Sequence, residues 1–260
     1  MKLFGKKNKS EKKPDEPVQQ TPQKHPMQIG FEKNLKFMNQ ETYPVEFIQG
    51  LFTETGRIKT FTVGNADFPT GRVVLADPLA YLGSKYETVL EETIPAGSYP
   101  VELSIFNSEL AGLRVAAARL KITDGRAVSY TLAQAMGYSD PDIKPKPLCF
   151  MGVDAGMGCI TDKAVSEEYD KFLAEWHAQN PGGNHYDDYF KELLEDSYRK
   201  CPDYQTPYGD FLLWKLPASK NALIIFSSGL GDGIYCGYWG VDENGEKTEL
   251  VMPFINPEFF

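Results

Sequence analysis

Apolar and polar residues alternate over much of the chain between residues 57 and 132. In the run YPVELSIF, the apolar residues Val101, Leu103 and Ile105 alternate with Glu102 and Ser104, which is the period-two pattern of a half-buried β-strand. Five further runs predict strands and are bounded by Gly, Pro, Asn or Asp: RIKTFTV (57–63), GRVVLAD (71–77), ETVLEETI (87–94), LRVAAARLKI (113–122) and RAVSYTL (126–132). This half of the chain therefore predicts an antiparallel sheet with one face in solvent.

Two dipeptides predict tight hairpin turns. Asp124-Gly125 lies between LRVAAARLKI and RAVSYTL, and Asn244-Gly245 lies between IYCGYWGVD and KTELVMPF. Both dipeptides are typical of primed turns, which need positive φ at both central positions. LRVAAARL also has helical propensity, but the turn signal and the neighbouring strands favour the β interpretation.

The C-terminal half mixes strands with two helices. CFMGVDAGMGCITD (149–162) indicates a strand, a glycine bend and a second strand. Asp162 can cap a helix over about 163–178, and a second helix is predicted over about 186–200, because both segments carry apolar residues at helical spacing. The remaining apolar runs predict strands: FLLWKLP (211–217), ALIIFSS (222–228), IYCGYWGVD (234–242) and KTELVMPF (247–254).

These patterns predict an α+β fold that is predominantly antiparallel β, sandwich-like or built of two packed sheets, with two helices in the C-terminal half. Residues 1–26 are rich in Lys, Pro and Gln and have almost nothing to bury, so we expect a disordered basic tail. Residues 27–260 are expected to form a single composite domain. The proline-rich segment 137–147 marks an alternative sub-boundary, since proline removes hydrogen-bond donors and restricts the residue before it.

The charge is uneven along the chain. Seven lysines against three acidic residues give residues 1–26 a net charge of +4, so the remainder carries −13 of the total of −9. An acidic body with a pI near 5.0 argues against nucleic acid as a partner. Such a surface suits a basic protein partner or plain solubility.

The sequence also bears on location. No apolar run reaches the roughly 18 residues that a membrane-spanning helix needs. Only Leu3 and Phe4 are large and apolar before Lys6, too few for a secretory signal, so we expect a cytoplasmic protein. The basic tail could make weak contact with an anionic membrane, but a solubilising tail is favoured because membrane attachment usually needs a second signal.

Two glycine-rich loops follow predicted strands and carry the candidate chemistry. The loop after ALIIFSS has Ile234 where a dinucleotide-binding fingerprint counted from Gly229 needs glycine, and a strand follows in place of a helix. A phosphate-binding Walker loop is excluded because Gly-Lys-Ser/Thr does not occur. The candidate site is drawn from both loops and their flanks: Asp154, Gly156, Asp162, Gly231, Asp232, Tyr235 and Trp239.

Three of these residues are carboxylates that could hold a divalent metal ion. Oxygen ligands from Asp154 and Asp232, with Asp162, suit Mg²⁺ or Ca²⁺, and a bound metal can activate water for hydrolysis. A simpler interpretation is favoured, in which Asp154 and Asp232 bond to backbone N–H groups of their own turns and Asp162 caps a helix. No cofactor is expected on that interpretation. The four cysteines and three histidines form no metal or nucleophile motif.

Five collinear segments carry a resemblance: FPTGRVVLADPLAYL (68–82), IPAGSYPVELSIF (94–106), RVAAARLKITD (114–124), MGVDAGMGCITD (151–162) and SSGLGDGIYCGYWGVDENGE (227–246). They resemble a bacterial family known as domain of unknown function 4241. The resemblance spans most of residues 50–255. It implies no activity, cofactor or catalytic residue.

Two functions from different classes remain. The favoured one is a non-catalytic protein-binding module, such as the immunity or accessory proteins that accompany bacterial toxins. The acidic body, the scarcity of acid–base residues and the aromatic residues Tyr235, Tyr238 and Trp239 support it. Tyr and Trp are common interface anchors, although in a hairpin they are equally common as core pairs. The alternative is a metal-assisted hydrolase that uses Asp154, Asp162 and Asp232. Convergence of the two glycine loops separates the hypotheses, because a shared ion needs carboxylates within reach of bonds of about 2.0–2.6 Å.

Overall fold

A computed structural model describes residues 24–136 and 150–260. The expected basic tail lies outside the described residues over positions 1–23, and the sub-boundary expected at 137–147 lies outside them entirely. The last residues assigned to the tail are described, and there His25 caps a helix that begins at Pro26.

Antiparallel strands dominate the structure. The strands are β1 Ile58–Phe68, β2 Arg72–Ala76, β3 Thr88–Thr93, β4 Gly97–Ser108, β5 Gly112–Lys121, β6 Ser129–Leu132, β7 Met151–Val153, β8 Met157–Asp162, β9 Phe211–Lys215, β10 Ala222–Ser227, β11 Gly233–Tyr235, β12 Tyr238–Val241 and β13 Lys247–Pro253. The helices are α1 Pro26–Phe37, α2 Val45–Leu51, α3 Lys163–Gln179 and α4 Lys191–Lys200. A π-helical turn, Tyr186–Phe190, precedes α4, and a 3₁₀ turn, Pro257–Phe259, follows β13.

The strands form two large sheets and a short ribbon. The six-stranded sheet has the order β1-β4-β5-β13-β12-β6, the five-stranded sheet has the order β3-β2-β8-β10-β9, and β7 pairs with β11. Within each sheet and within the ribbon, neighbouring strands of the described residues are antiparallel. The predicted α+β class, with packed antiparallel sheets and two helices in the C-terminal half, is confirmed.

The five-stranded sheet is a middle layer that is buried on both faces. Along β10, Ile224 and Phe226 join the core shared with the six-stranded sheet, whereas Leu223 and Ile225 join a second core with α3 and α4. This is why β2 and β10 read as continuous apolar runs without polar alternation. The second core is rich in aromatic side chains, with Tyr169, Phe172, Tyr189, Phe190 and Trp214 in mutual contact.

The two predicted C-terminal helices are present. Asp162 caps α3 by accepting the N–H of Ala164 at 2.8 Å. The segment predicted as one helix over 186–200 is a π-helical turn followed by α4. The N-terminal helices were not predicted, and α1 shows why: it buries Gly30 and Asn34 instead of a stripe of large apolar residues.

The hairpin predicted at Asp124-Gly125 is wrong. β5 and β6 are not neighbours, because β13 pairs with β5 and β12 pairs with β6. After β5 the chain stays beside β13, where the N–H groups of Ile122 and Thr123 both donate to the carbonyl of Thr248. Long-range pairing has therefore replaced the local turn.

The hairpin predicted at Asn244-Gly245 is confirmed, with a different turn. β12 pairs with β13, and Gly245 has a positive φ of 82°. Asn244 has no positive φ, and the N–H of Gly245 donates to the carbonyl of Asp242 at 3.1 Å. The loop thus contains a turn that starts at Asp242 with glycine in its last position, a common arrangement for longer hairpin loops.

The run IYCGYWGVD is two strands and not one. β11 pairs with β7, and β12 joins the six-stranded sheet. The chain changes direction at Cys236 and Gly237, and a Cβ atom on Gly237 would lie 2.9 Å from the Leu75 side chain of the other sheet. The lack of a side chain there lets the two sheets approach closely.

Candidate functional site

The two glycine loops of the sequence converge in the structure. β7 leads into the first loop, and β11 follows the second. Val153 lies opposite Gly233, and extending this register by one residue would bring Asp154 opposite Asp232. The loops also touch directly, because the N–H of Ser228 donates to the carbonyl of Gly156 at 3.0 Å. Gly156 and Gly231 are close as well: a Cβ atom built on Gly156 lies 3.8 Å from the Cα of Gly231.

Gly229 allows the second loop to turn. Its φ is +70°, and a Cβ atom there would lie 2.7 Å from the Cβ of Phe254. The left-handed conformation and the close approach both require glycine. Tyr235 supports the same loop, since its hydroxyl donates to the carbonyl of Gly231 at 2.7 Å.

Asp77 joins the loops to the five-stranded sheet, and sequence reasoning missed it. Its side chain is fully buried. Oδ2 accepts the N–H groups of Asp154 at 3.0 Å and Ala155 at 2.7 Å, and Oδ1 accepts the N–H of Leu79 at 2.9 Å. Burial raises the pKa of Asp77, and these N–H bonds oppose that rise. The signal in the sequence is the pair Asp77-Pro78, which is typical of a side chain that bonds to a turn.

Contrary to the expectation from the sequence, the side chains of Asp154 and Asp232 do not bond to backbone N–H groups of their own turns. Both residues are exposed. Neither carboxylate has a hydrogen bond or an ion pair within residues 24–136 and 150–260, so it is Asp77 that secures the turn at Asp154. Their negative charge acts on Tyr81, whose pKa is raised chiefly by Asp154, then by burial and by Asp77.

An apolar cleft lies beside this pair of carboxylates. It has a volume of about 550 Å³, and Gly152 and Ile234, opposite each other in the β7–β11 ribbon, form one wall. Large apolar side chains remain exposed around it, namely Tyr86 at 65%, Ile234 at 58% and Met136 at 44%. We call this surface the Tyr86 cleft, and its main lining residues are Tyr81, Tyr86, Val89, Met136, Phe150 and Ile234.

Hydrogen bonds hold the walls of the Tyr86 cleft in place. Thr88 donates through Oγ1 to the carbonyl of Phe150 at 2.5 Å, and the N–H of Met136 donates to the carbonyl of Val89 at 2.7 Å. Glu87 accepts from the Nζ of Lys163 at 2.6 Å and from the hydroxyl of Ser166. The polar groups at the base of the cleft are thus engaged in structural contacts.

Asp162 does not belong to this site. Asp162 is the last residue of β8, and the first glycine loop immediately precedes the first residue of this strand. At about 3.3–3.4 Å per residue, the strand separates Asp162 from the loop by roughly 17 Å. Its carboxylate is buried and accepts from the N–H and the hydroxyl of Thr70 at 3.1 and 2.8 Å, besides capping α3. The three aspartates of the hydrolase hypothesis are therefore not brought together.

The aromatic residues expected as interface anchors are in the core. Tyr235, Tyr238 and Trp239 are 7%, 0% and 1% exposed. Tyr235 packs edge-on against Phe254, with ring centroids 5.1 Å apart, and burial raises its pKa to about 12. Since no partner can reach these rings, the expectation that they form a binding surface is wrong.

Two broader features concern metal ions and membranes. Among the residues that the structure describes, no group of three or more His, Cys, Asp and Glu side chains is placed to hold a metal ion. None of the helices in the described ranges is long and apolar enough to cross a membrane.

Comparison with known proteins gives one match. A family described as protein of unknown function (DUF4241) matches residues 66–252. A search of the curated proteins found no match, and a search of the solved structures found none either. The matched residues include Asp77, both glycine loops and the β7–β11 ribbon, whereas α1 and α2 lie outside them. On this evidence, the chain belongs to the family of unknown function DUF4241.

Proposed function

We propose that the protein is a non-catalytic protein-binding module and that the Tyr86 cleft is its binding surface. The observation that carries the proposal is the presence of exposed Tyr86, Met136 and Ile234, from three separate segments, around one concave apolar surface. Aromatic and Met side chains are enriched at protein interfaces. Fully burying one exposed large apolar side chain contributes about 1.5–3 kcal/mol, so covering these partly exposed residues favours binding.

The contacts of two carboxylates near the cleft, Glu87 and Asp77, support binding over catalysis. Glu87 is held by Lys163 and Ser166, and both oxygens of Asp77 accept backbone N–H groups. A general base must be within reach of a substrate proton, and these two carboxylates are committed to the protein itself. They give the surface its shape.

A capture experiment with surface variants tests the proposal. The bait is the wild-type protein, Ile234→Arg or Tyr208→Ser, each incubated with extract of the source cells. Tyr208 is the matched control, because it is 77% exposed and does not line the cleft. We expect a stoichiometric partner with wild type and Tyr208→Ser that is lost with Ile234→Arg. Equal capture by all three baits, or none by wild type, would contradict the proposal.

A second candidate, metal-assisted hydrolysis, is supported by the β7–β11 register, which would bring Asp154 opposite Asp232 if it continued for one more residue. Two facing carboxylates can supply oxygen ligands to one divalent ion. Isothermal calorimetry with Mg²⁺, Mn²⁺ and Ca²⁺ tests this on wild type, Asp232→Asn and the control Glu109→Gln. Heat that is lost only in Asp232→Asn would support an ion at this position. No heat from wild type, or equal heat from Asp232→Asn, would exclude it.

A further inference from the structure

The charges around the Tyr86 cleft indicate what kind of segment it binds. We propose that its occupant is an extended segment of a partner protein in which a Lys or Arg lies two residues from a large apolar side chain. The inference rests on the proposed function and adds the chemistry of the partner. Its basis is the position of Asp154 and Asp232 at the end of the same ribbon that forms the apolar wall.

The carboxylates at the acidic end of the ribbon are available to bind a cation. Asp154 and Asp232 are exposed, come opposite each other when the β7–β11 register is extended by one residue, and pair with no cation within the described parts of the chain. Like charges placed opposite each other across two strands are unfavourable. A cation supplied by a partner relieves this repulsion.

The other charged residues around the cleft do not neutralise Asp154 and Asp232. Glu87 is neutralised by Lys163, with Nζ and Oε1 2.6 Å apart. Lys85 is the cation among the described lining residues, and it lies in the loop that precedes β3. Its Nζ is 5.0 Å from the centroid of the Tyr86 ring. The end of the ribbon at Asp154 and Asp232 is therefore acidic, whereas the side of the cleft at Tyr86 carries the positive charge of Lys85.

The spacing between the apolar wall and the carboxylates sets the spacing within the ligand. Gly152 and Ile234 line the cleft, and Asp154 and Asp232 lie two residues further along the two strands. Two residues of a strand span about 6.6–6.8 Å. In an extended peptide, side chains two residues apart lie on the same face at this same distance, so one peptide can place an apolar side chain in the cleft and a cation at the carboxylates.

Selection from a random dodecapeptide phage library tests the inference without a known partner. Phage are selected on the wild-type protein after depletion on Ile234→Arg, and the enriched peptides are synthesised. We expect Lys or Arg two positions from Phe, Leu, Met, Trp or Tyr in these peptides. Enriched peptides without basic residues would overturn the inference and leave the proposed function standing. If the selection yields no peptide whose binding depends on Ile234, the proposed function itself is contradicted.

Binding of one selected peptide then isolates the two carboxylates. The double variant Asp154→Asn/Asp232→Asn is expected to bind at least about tenfold more weakly, with a reduced salt dependence, because two charge contacts are lost. The control Glu109→Gln/Asp124→Asn removes the same net charge from exposed positions elsewhere and should bind as wild type does. Equal affinity of both double variants would overturn the inference. Circular dichroism verifies that each variant is folded.

A second copy of this chain is the competing occupant. Light scattering on wild type and Ile234→Arg addresses it directly. A wild-type dimer that becomes a monomer in Ile234→Arg would assign the cleft to self-association and overturn a foreign partner. A monomer in both proteins supports the inference.

Discussion

Asp77 is the residue on which the geometry of the site depends. It is fully buried, and its two oxygens accept three backbone N–H groups, two of them from the first glycine loop. A buried polar group that loses its partner costs about 1–3 kcal/mol. The backbone at Asp154, two residues from the cleft residue Gly152, is thus held by a side chain more than 70 residues earlier in the chain.

Asp77→Asn is expected to lower the free energy of unfolding at pH 7 by about 1–3 kcal/mol, because an amide has one acceptor oxygen in place of two. Urea denaturation followed by circular dichroism measures the change. The control is Asp124→Asn, at an exposed position, which should stay within about 0.5 kcal/mol of wild type. A change in Asp77→Asn as small as that of the control would refute the structural role.

The same residue predicts a pH dependence. Since burial raises the pKa of Asp77, the native state keeps its proton at pH values where the unfolded chain has released it. The stability that Asp77 contributes therefore falls as the pH rises from its ordinary pKa of 3.8 through the folded-state pKa. The unfolding free energy of wild type minus that of Asp77→Asn should decrease over this interval. A difference that grows with pH would be inconsistent with a raised pKa.

Gly229→Ala tests the turn of the second loop. A left-handed conformation costs an alanine about 1–2 kcal/mol, and the contact with Phe254 adds to this. We expect a loss of more than about 2 kcal/mol in unfolding free energy by urea denaturation. Gly56→Ala is the matched control, because its Cβ would meet nothing within 4 Å and its φ is not left-handed. Equal stability of the two variants would show that the loop can relax.

At the scale of elements, α1 is attached through polar contacts that its sequence pattern does not reveal. Asn34 donates through Nδ2 to the carbonyl of Phe254 at 2.9 Å and accepts the N–H of Asn256 at 2.8 Å. Gly30 lies against the C-terminal residues, where a Cβ atom would come within 2.5 Å of the carbonyl oxygen of Phe259. This helix is outside the family match, yet it packs on the segment that follows β13.

Asn34→Ala is expected to destabilise the protein by about 2–4 kcal/mol, because two buried backbone groups lose their partner. Hydrogen exchange should show faster exchange of the amides of α1 than in wild type. Lys33→Ala, an exposed position of the same helix, is the control. Unchanged exchange in α1 would mean that the apolar contacts of the helix are sufficient to hold it.

At the scale of the whole molecule, the five-stranded sheet links the two cores. Its strands alternate residues between them, so neither core can be exposed without disrupting β2, β8 and β10. Trp239 reports on the core between the sheets, and Trp214 reports on the core beneath α3 and α4. The described parts of the chain are thus expected to unfold as one cooperative unit.

Two variants that each retain one tryptophan test this cooperativity. With the other tryptophans replaced by Phe, the Trp214-only and Trp239-only proteins are unfolded in urea. In each variant, the fluorescence transition should coincide with the transition in far-ultraviolet circular dichroism. Two separate transitions would divide the protein into independent units.

Local patterns allowed a large part of the fold to be predicted. Strands with period-two alternation, α3 with its Asp162 cap and the hairpin at Asn244-Gly245 depend on neighbours in sequence, and all are present. The Asp124-Gly125 hairpin failed because β13 competes for the edge of β5. Tyr235 and Trp239 were misassigned because an aromatic residue in a strand has the same pattern in a core as on a surface.

The class of fold follows from the sequence alone, and so do the strand-rich composition, the acidic body and the presence of two glycine loops. The folded chain shows in addition that these loops meet, that Asp77 holds the first of them and that Asp162 lies at the far end of β8. It also shows that the Tyr86 cleft lies beside Asp154 and Asp232. The physical reason is the range of the interactions. Backbone propensity and hydrophobic period act over a few residues, whereas strand order and burial depend on contacts between segments far apart in the chain.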